Sequence, residues 1–316
     1  MPRVVLGRTE IAIHPLVFGS LPMGPLQAGL TPGEGARLLR HALERGINLI
    51  DSAELYGTYP HIREALREYR GEVFLATKTH ADSAAEARRH VERALRELEV
   101  DRLDIVHLHG ARLSDPFVER ASVFEELLQL REEGKVRCLG LSSHYISAIK
   151  RAAVHPEIDV VHPLINRGGM GILDGSAEDM AGAIAEAAEA GKGVYAMKAL
   201  AGGNLIGQAR ASFGYVLGLP GVHAVAVGML SEGEINANLA LFSGESPKEG
   251  IWKELESRRR RLRIMDRFCK GCGNCLPACA SKAIAVKDGK ATVDAGECIL
   301  CGYCAAACPE FIIRVV

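Results

Sequence analysis

Short apolar runs alternate with longer amphipathic stretches over roughly the first three quarters of the chain. The runs fall at residues 17–18, 47–50, 73–76, 103–108, 136–141, 158–161, 194–197 and 222–227. They are rich in Val, Ile and Leu and apolar on both faces, the pattern of buried parallel strands. Between them, residues 33–45, 84–98, 122–133 and 177–190 carry apolar positions at helical spacing. Gly46, Gly134 and Gly191 close three of these helices just before the next run. Eight such alternations predict a (β/α)8 TIM barrel over residues 1–245. A doubly wound sheet would want a G-x-G-x-x-G turn after the first strand, and Gly19-Ser20-Leu21-Pro22-Met23-Gly24 does not fit it. Residues 4–14 read as a short hairpin ahead of the barrel.

The pattern changes after residue 245. Residues 246–263 are polar and charged and contain four consecutive arginines, Arg258 to Arg261. Glu254 and Glu256 precede Arg258 and Arg260 by four residues, which predicts a solvated connecting helix. A docking patch for an acidic redox partner is the alternative. Residues 264–316 then hold eight of the nine cysteines, in the runs Cys269-x2-Cys272-x2-Cys275-x3-Cys279 and Cys298-x2-Cys301-x2-Cys304-x3-Cys308-Pro309. This stretch resembles a two-cluster bacterial ferredoxin, a small α+β fold in which the fourth Cys of each run serves the other cluster. The resemblance implies Cys269, Cys272, Cys275 and Cys308 on one 4Fe–4S cluster. It implies Cys298, Cys301, Cys304 and Cys279 on a second. Zinc or disulfides are the competing uses of such thiols. The unit has little apolar sequence, so the clusters are expected to hold it folded. Cys138, alone in mid-strand, reads as a buried thiol.

Charge adds exclusions. The formal net charge is −1 and the pI about 6.8, so nothing calls for nucleic acid or an anionic membrane. The longest apolar stretch, residues 215–230, is interrupted by Pro220-Gly221 and His223 and is too short to span a bilayer. No basic-then-apolar leader opens the sequence, and the many thiols suit a reducing compartment, so a cytoplasmic location is expected.

Candidate chemistry sits where strands end and loops begin. The second strand runs into Asp51-Ser52-Ala53-Glu54-Leu55-Tyr56-Gly57, the third into Thr77-Lys78-Thr79, and the fourth ends in His107-Leu108-His109-Gly110. A carboxylate, a phenol, an amine and an imidazole would meet at one mouth. Such a set can give a proton to a carbonyl. Lys78 would lower the Tyr56 pKa, Asp51 would orient Lys78, and an imidazole would hold the substrate oxygen. His107 and His109 share a strand face, and position favours His109. These stretches resemble the aldo-keto reductase superfamily over residues 1–243, and with the cysteine-rich unit the iron–sulfur-bearing branch of it. The resemblance implies Asp51, Tyr56, Lys78 and His109 as catalytic residues and NAD(H) or NADP(H) lying extended across the mouth.

The cofactor contacts that the resemblance implies are less conventional. Ser142 and Ser143 would hold the carboxamide, with Ser143 where Asn is usual. His162 stands in place of Gln, with Asn166 following. Met197 would pack on the nicotinamide ring, and Lys198, Gly202 and Gly203 would meet the pyrophosphate. Gly228, Glu234 and Asn238 fall in the adenosine segment. A carboxylate at Glu234 repels a 2′-phosphate, which favours NADH over NADPH. Gly168-Gly169-Met170-Gly171 would be a lid or a simple turn. The implied reaction is reduction of an aldehyde or ketone, or its reverse. The alternative is an iron–sulfur electron-transfer protein that exchanges electrons with a partner. A nicotinamide gives two electrons, a cluster accepts one, and no flavin site is legible, so the clusters would be structural, fed by an unseen flavin, or a source of electrons for an unusual substrate.

Overall fold

The computed structural model describes residues 3–245, 249–310 and 312–316. The expected connecting segment therefore has its first three residues, 246–248, outside the described part. Strands β1 (Val4–Val5) and β2 (Ala12–Ile13) form the antiparallel hairpin expected at the start. Eight parallel strands follow: β3 (Leu16–Gly19), β4 (Leu49–Asp51), β5 (Phe74–Thr79), β6 (Leu103–Gly110), β7 (Val136–Ser143), β8 (Val160–Pro163), β9 (Gly193–Ala196) and β10 (Ala224–Val227). Each pairs with the next and β10 pairs back with β3, so the barrel is closed. The eight apolar runs of the sequence are these eight strands.

The helices on the outside begin where the sequence supplies caps. In α1 (Pro32–Glu44), Thr31 and Glu34 form a reciprocal capping box and Pro32 takes a position whose N–H would be unpaired. Helix α2 (Tyr59–Glu68) follows β4, and α3 (Ala84–Leu98) follows β5. Further round lie α4 (Pro116–Glu119), α5 (Ala121–Glu132), α6 (Ile146–Val154), α7 (Ala177–Glu189), α8 (Ala209–Leu217) and α9 (Glu232–Phe242). Helix α7 carries a second capping box, Ser176 with Asp179.

Strand parity divides the core. Phe18, Ile50, Leu75, Val106, Leu139, Val161 and Val225 pack outward against the helices. Val17, Leu49, Phe74, Ile105, Cys138, Val160, Tyr195 and Ala224 face inward and, with Leu6, Ile11 and Ile13 from the hairpin, fill the floor. Cys138 is thus a buried member of that floor, and burial pushes its thiol pKa up to about 12. Because the side-chain period is two, the inward positions above this floor are fixed too: Asp51, Lys78, His107, His109, Ser142, His162 and Met197.

The connecting segment differs from a solvated helix. In α10 (Glu249–Ser257), Trp252 is 1% exposed and packs with Leu255 into the barrel's helix layer. Arg258 does pair with Glu254 at 3.5 Å, as the spacing predicts, but Glu256 pairs with Arg210 and Arg260 donates to Gln27 at 2.6 Å. Strand β11 (Leu262–Ile264) already belongs to the cysteine-rich unit, because it pairs with β14 (Ile313–Val315) from Leu262 onward. The rest of that unit is α11 (Cys275–Ala278), the hairpin β12 (Ile284–Lys287) and β13 (Lys290–Val293), and α12 (Tyr303–Ala306). Its core consists of Cys275, Cys304 and Cys308 among Ile284, Ile312 and Ile313, so thiols occupy positions that aliphatic side chains fill in the barrel. Among the described residues no helix is long and apolar enough to cross a membrane.

Candidate active site

At the mouth, the inward positions form one buried polar network. Lys78 Nζ donates to Asp51 Oδ2 at 2.6 Å and to the Ser52 carbonyl at 2.8 Å. The other Asp51 oxygen accepts from the Tyr195 hydroxyl at 2.9 Å, and that hydroxyl lies 2.5 Å from His107 Nε2. His162 hydrogen-bonds the Tyr195 carbonyl through Nδ1 at 2.6 Å and stacks on the Tyr195 ring. Gly140 leaves room for His107, since a Cβ there would come within 2.2 Å of the imidazole. Tyr195 escaped the sequence reading. It sits two residues before Met197 in an apolar run, and that inward parity was the available signal.

Tyr56 stands on the loop after β4. Thr58, wholly buried, braces that loop through hydroxyl contacts to Ser20 at 2.8 Å and Ser52 at 2.9 Å. Lys78 Nζ lies 5.2 Å from the Tyr56 ring centroid, turned towards Asp51 and Ser52. The expected lowering of the Tyr56 pKa is not what this geometry produces. Burial, then the neighbouring Tyr303 and Asp51, hold it well above the usual phenol value. Tyr56 therefore keeps its phenol proton at neutral pH. Burial also lowers Lys78, opposed by the Asp51 carboxylate, and drives His107, His109 and His162 well below the usual histidine value, so all three are neutral near pH 7.

Two cavities open beside this network. The first is lined by Asp51, Tyr56, His162, Met197, Lys198, Gly202, Gly203, Gly228 and Arg260. The second, about 290 Å³, lies between the barrel and the cysteine-rich unit and is bordered by His109 and Tyr303. His107 is spent on Tyr195, whereas His109 faces this second cavity with Nε2 3.4 Å from the Tyr303 hydroxyl and Nδ1 unpaired. Tyr303 also hydrogen-bonds Tyr56 and packs beside it with Leu55. Nothing in the cysteine spacing pointed to Tyr303 as part of the mouth; an aromatic between Cys301 and Cys304 was the only hint.

Several other expectations meet different surroundings. Ser142 Oγ is wholly buried and lacks a partner, but Ser143 donates to the Gly110 carbonyl at 3.1 Å and accepts from the Tyr145 N–H at 3.0 Å. Ser143 is turned outward by parity, so its hydroxyl is committed to the backbone. A Cβ on Gly202 would come within 1.8 Å of the Ile299 carbonyl, so that glycine admits the cysteine-rich unit. Gly171 does the same for the Ile299 side chain, and Asn166 binds Gly168, Met170 and the Met170 carbonyl, so residues 168–171 form a pinned turn, not a free lid. Glu234 forms an ion pair with Arg258 and accepts from the Leu230 N–H at 2.5 Å. Its charge is offset, which removes the ground for expecting it to repel a phosphate. Asn238 is buried on α9 and lines neither cavity.

In the smaller unit a further cavity is lined by Cys269, Cys272, Cys275 and Cys308. The Cys269 sulfur there accepts from the Ala291 N–H at 3.3 Å. Around Cys304 the thiols acting most strongly on it are Cys301, Cys298 and Cys279. Four sulfurs around a hollow, with a backbone donor aimed at one of them, fit an iron–sulfur cubane.

The Aldo/keto reductase family model matches residues 15–215. The chain belongs to the aldo/keto reductase family. A second model, the 4Fe-4S dicluster domain, matches residues 268–312, so an iron–sulfur unit follows the family's barrel. The crystal structure of PA4992 from Pseudomonas aeruginosa is similar at 31% identity and TM-score 0.66, covering 77% of this chain and 95% of that one. The holo form of the aldo-keto reductase AKR11C1 from Bacillus halodurans shares the fold at 23% identity and TM-score 0.64, over 81% of this chain and 95% of that one. The aldo-keto reductase YhdN from Bacillus subtilis is 28% identical over 158 residues, 45% of this chain and 47% of that one. The chain spans about half the length of the curated relatives it matches first.

Proposed function

We propose that the protein is an NAD(P)H-dependent reductase of an aldehyde or ketone, with Tyr56 as proton donor and two 4Fe–4S clusters in its C-terminal unit. The observation that carries this is the convergence of Tyr56 and Asp51, with Lys78 ion-paired behind Asp51, on a cavity that runs from Met197 past Lys198 and Gly203 to Arg260. Met197 offers that cavity an apolar wall for a nicotinamide ring, and the buried Ser142 hydroxyl is left without a partner. A nicotinamide, when bound, supplies a hydride.

The chain's own groups do the rest. Tyr56 Oη, protonated at any neutral pH, gives its proton to the carbonyl oxygen as negative charge develops there. Lys78, fixed by Asp51 and the Ser52 carbonyl, places a positive charge beside the phenol and stabilises the phenolate left behind. Neutral His109 donates to the same oxygen and orients it. Tyr195 and His107 hold Asp51 in place from below.

NADPH is the preferred nicotinamide in this reading. Glu234 is neutralised by Arg258, and Arg258 and Arg259 border a cavity of about 280 Å³ that adjoins Gly203. The clusters, when bound by Cys269, Cys272, Cys275 and Cys308 and by Cys298, Cys301, Cys304 and Cys279, supply one-electron chemistry and hold their unit folded. One observation favours electron exchange with a redox partner as a second reading: the Cys298–Cys304 loop lies on the barrel mouth, with Lys198 acting on Cys301. The deciding experiment is anaerobic oxidation of NADH and NADPH with a panel of aldehydes and ketones, clusters intact. Turnover that disappears in Tyr56→Phe supports the reductase. Nicotinamide oxidation that needs only an added electron acceptor supports the second reading.

A further inference from the structure

Resting on the reductase reading, we propose that the dicluster unit forms one wall of the carbonyl-substrate site and that the Tyr303 hydroxyl keeps the place of the substrate's oxygen. The oxygen of an aldehyde or ketone has to reach both Tyr56 and His109. In the structure Tyr303 reaches both: its hydroxyl is 3.4 Å from His109 Nε2, its ring stands edge-on to the imidazole, and it hydrogen-bonds Tyr56. Tyr56 faces the first cavity and His109 the second, so Tyr303 stands at the partition between the dinucleotide side and the other side.

That other side has the form of an entry for a small molecule. Leu55, His80 and Arg112 border it from the barrel, and Ala278, Ala306 and Ala307 border it from the dicluster unit. Three methyl side chains leave room for the body of a substrate. The Arg112 guanidinium donates to the Pro277 carbonyl across the seam. The cavity suits a small aldehyde or ketone with an apolar body.

The wall is fixed in position. Asn204 donates to the Cys298 carbonyl at 2.7 Å and Gln27 to the Leu300 carbonyl at 3.3 Å. Gly302, at φ +81°, lies so close to the Leu26 carbonyl that a Cβ would come within 2.7 Å. Ile299 is buried between Leu164 and Met197. With the loop held at these points, the substrate oxygen gains its site by displacing the Tyr303 hydroxyl through rotation of that side chain, and no departure of the unit is needed.

Full-length, cluster-loaded wild type, Tyr303→Phe and Ala306→Trp test this, with visible absorbance as the loading control. Nicotinamide Kd is measured by fluorescence titration, and KM and kcat with butanal and butanone. Tyr303→Phe removes the competing hydroxyl and is expected to lower carbonyl KM about fivefold. Ala306→Trp fills the cavity and is expected to raise it at least tenfold. Nicotinamide Kd stays within twofold in Ala306→Trp. Unchanged KM in both variants overturns the inference and leaves the reductase reading standing. A fall in kcat at constant KM in Tyr303→Phe makes Tyr303 part of proton delivery and overturns its place-holding role. Nicotinamide binding without carbonyl turnover in all three proteins removes the reductase reading and the inference with it. Loss of nicotinamide binding in all three removes the reductase reading itself.

Discussion

The barrel and the dicluster unit are organised around different interiors. In the barrel, strand alternation puts aliphatic side chains on both the floor and the helix layer, so hydrophobic burial alone supplies a core. In the smaller unit Cys275, Cys298, Cys304 and Cys308 are buried among isoleucines, alanines, Leu300 and Val315, beside two small two-stranded sheets. A core of this size contributes only a few kcal/mol, so the clusters are expected to add to its stability. Yet the smaller unit reaches into the mouth of the larger one through Ile299, Gly302 and Tyr303. The smaller unit therefore completes the mouth of the larger one.

The sharpest test of this division is at the proton donor. Tyr56→Phe is expected to lower kcat by about 10²–10⁴-fold while leaving nicotinamide Kd within a few-fold, measured by steady-state kinetics and fluorescence titration. Full activity would remove Tyr56 from the chemistry. Next in size, Cys308→Ser is expected to abolish the cluster served by the first cysteine run and to leave the other, read by iron content and EPR. Loss of only the second-run cluster would contradict the crossed ligation.

The seam gives a smaller effect. Gly202→Val places side-chain atoms against the Ile299 carbonyl and is expected to weaken docking by about 1–3 kcal/mol. Limited proteolysis should then release the cysteine-rich unit while the barrel's thermal transition stays in place. If both transitions move together, the two regions are one cooperative unit.

Acid should also separate the regions. His144 is buried, and burial lowers its pKa to about 3 from an unfolded value near 6.5. The unfolded chain binds the proton first as pH falls, so the stability from a neutral His144 is complete above about pH 6.5 and is lost between there and about pH 3. His107, His109 and His162 shift the same way. Calorimetry should show the barrel's transition falling from pH 6.5 downward, and His144→Gln should flatten that fall. The smallest effect is expected from Arg259→Ala, a few-fold rise in Kd for NADPH with little change for NADH.

The barrel was legible because its eight strands are apolar on both faces and its helix ends are marked by glycine and caps. Asp51, Lys78 and His109 stood out because they lie where strands end at one mouth, in stretches that resemble the family. Tyr195 was hidden because a tyrosine in an apolar run looks like packing until its hydroxyl is seen on Asp51. The connecting segment was misjudged because it reads as charged, while Trp252 and Leu255 seat it on the barrel. Tyr303 could not be found from spacing, since its partners Tyr56 and His109 lie about 190–250 residues away in sequence. Long-range docking leaves no local periodicity to read.

The loop that carries Cys298, Cys301 and Cys304 is also the loop that seats Ile299 and Tyr303 on the mouth. This has a consequence for how the molecule is made. If the clusters hold their unit folded, as proposed, metal delivery is what sets the last wall in place. Maturation then doubles as inspection, because a copy that misses its iron would carry an unfinished entrance.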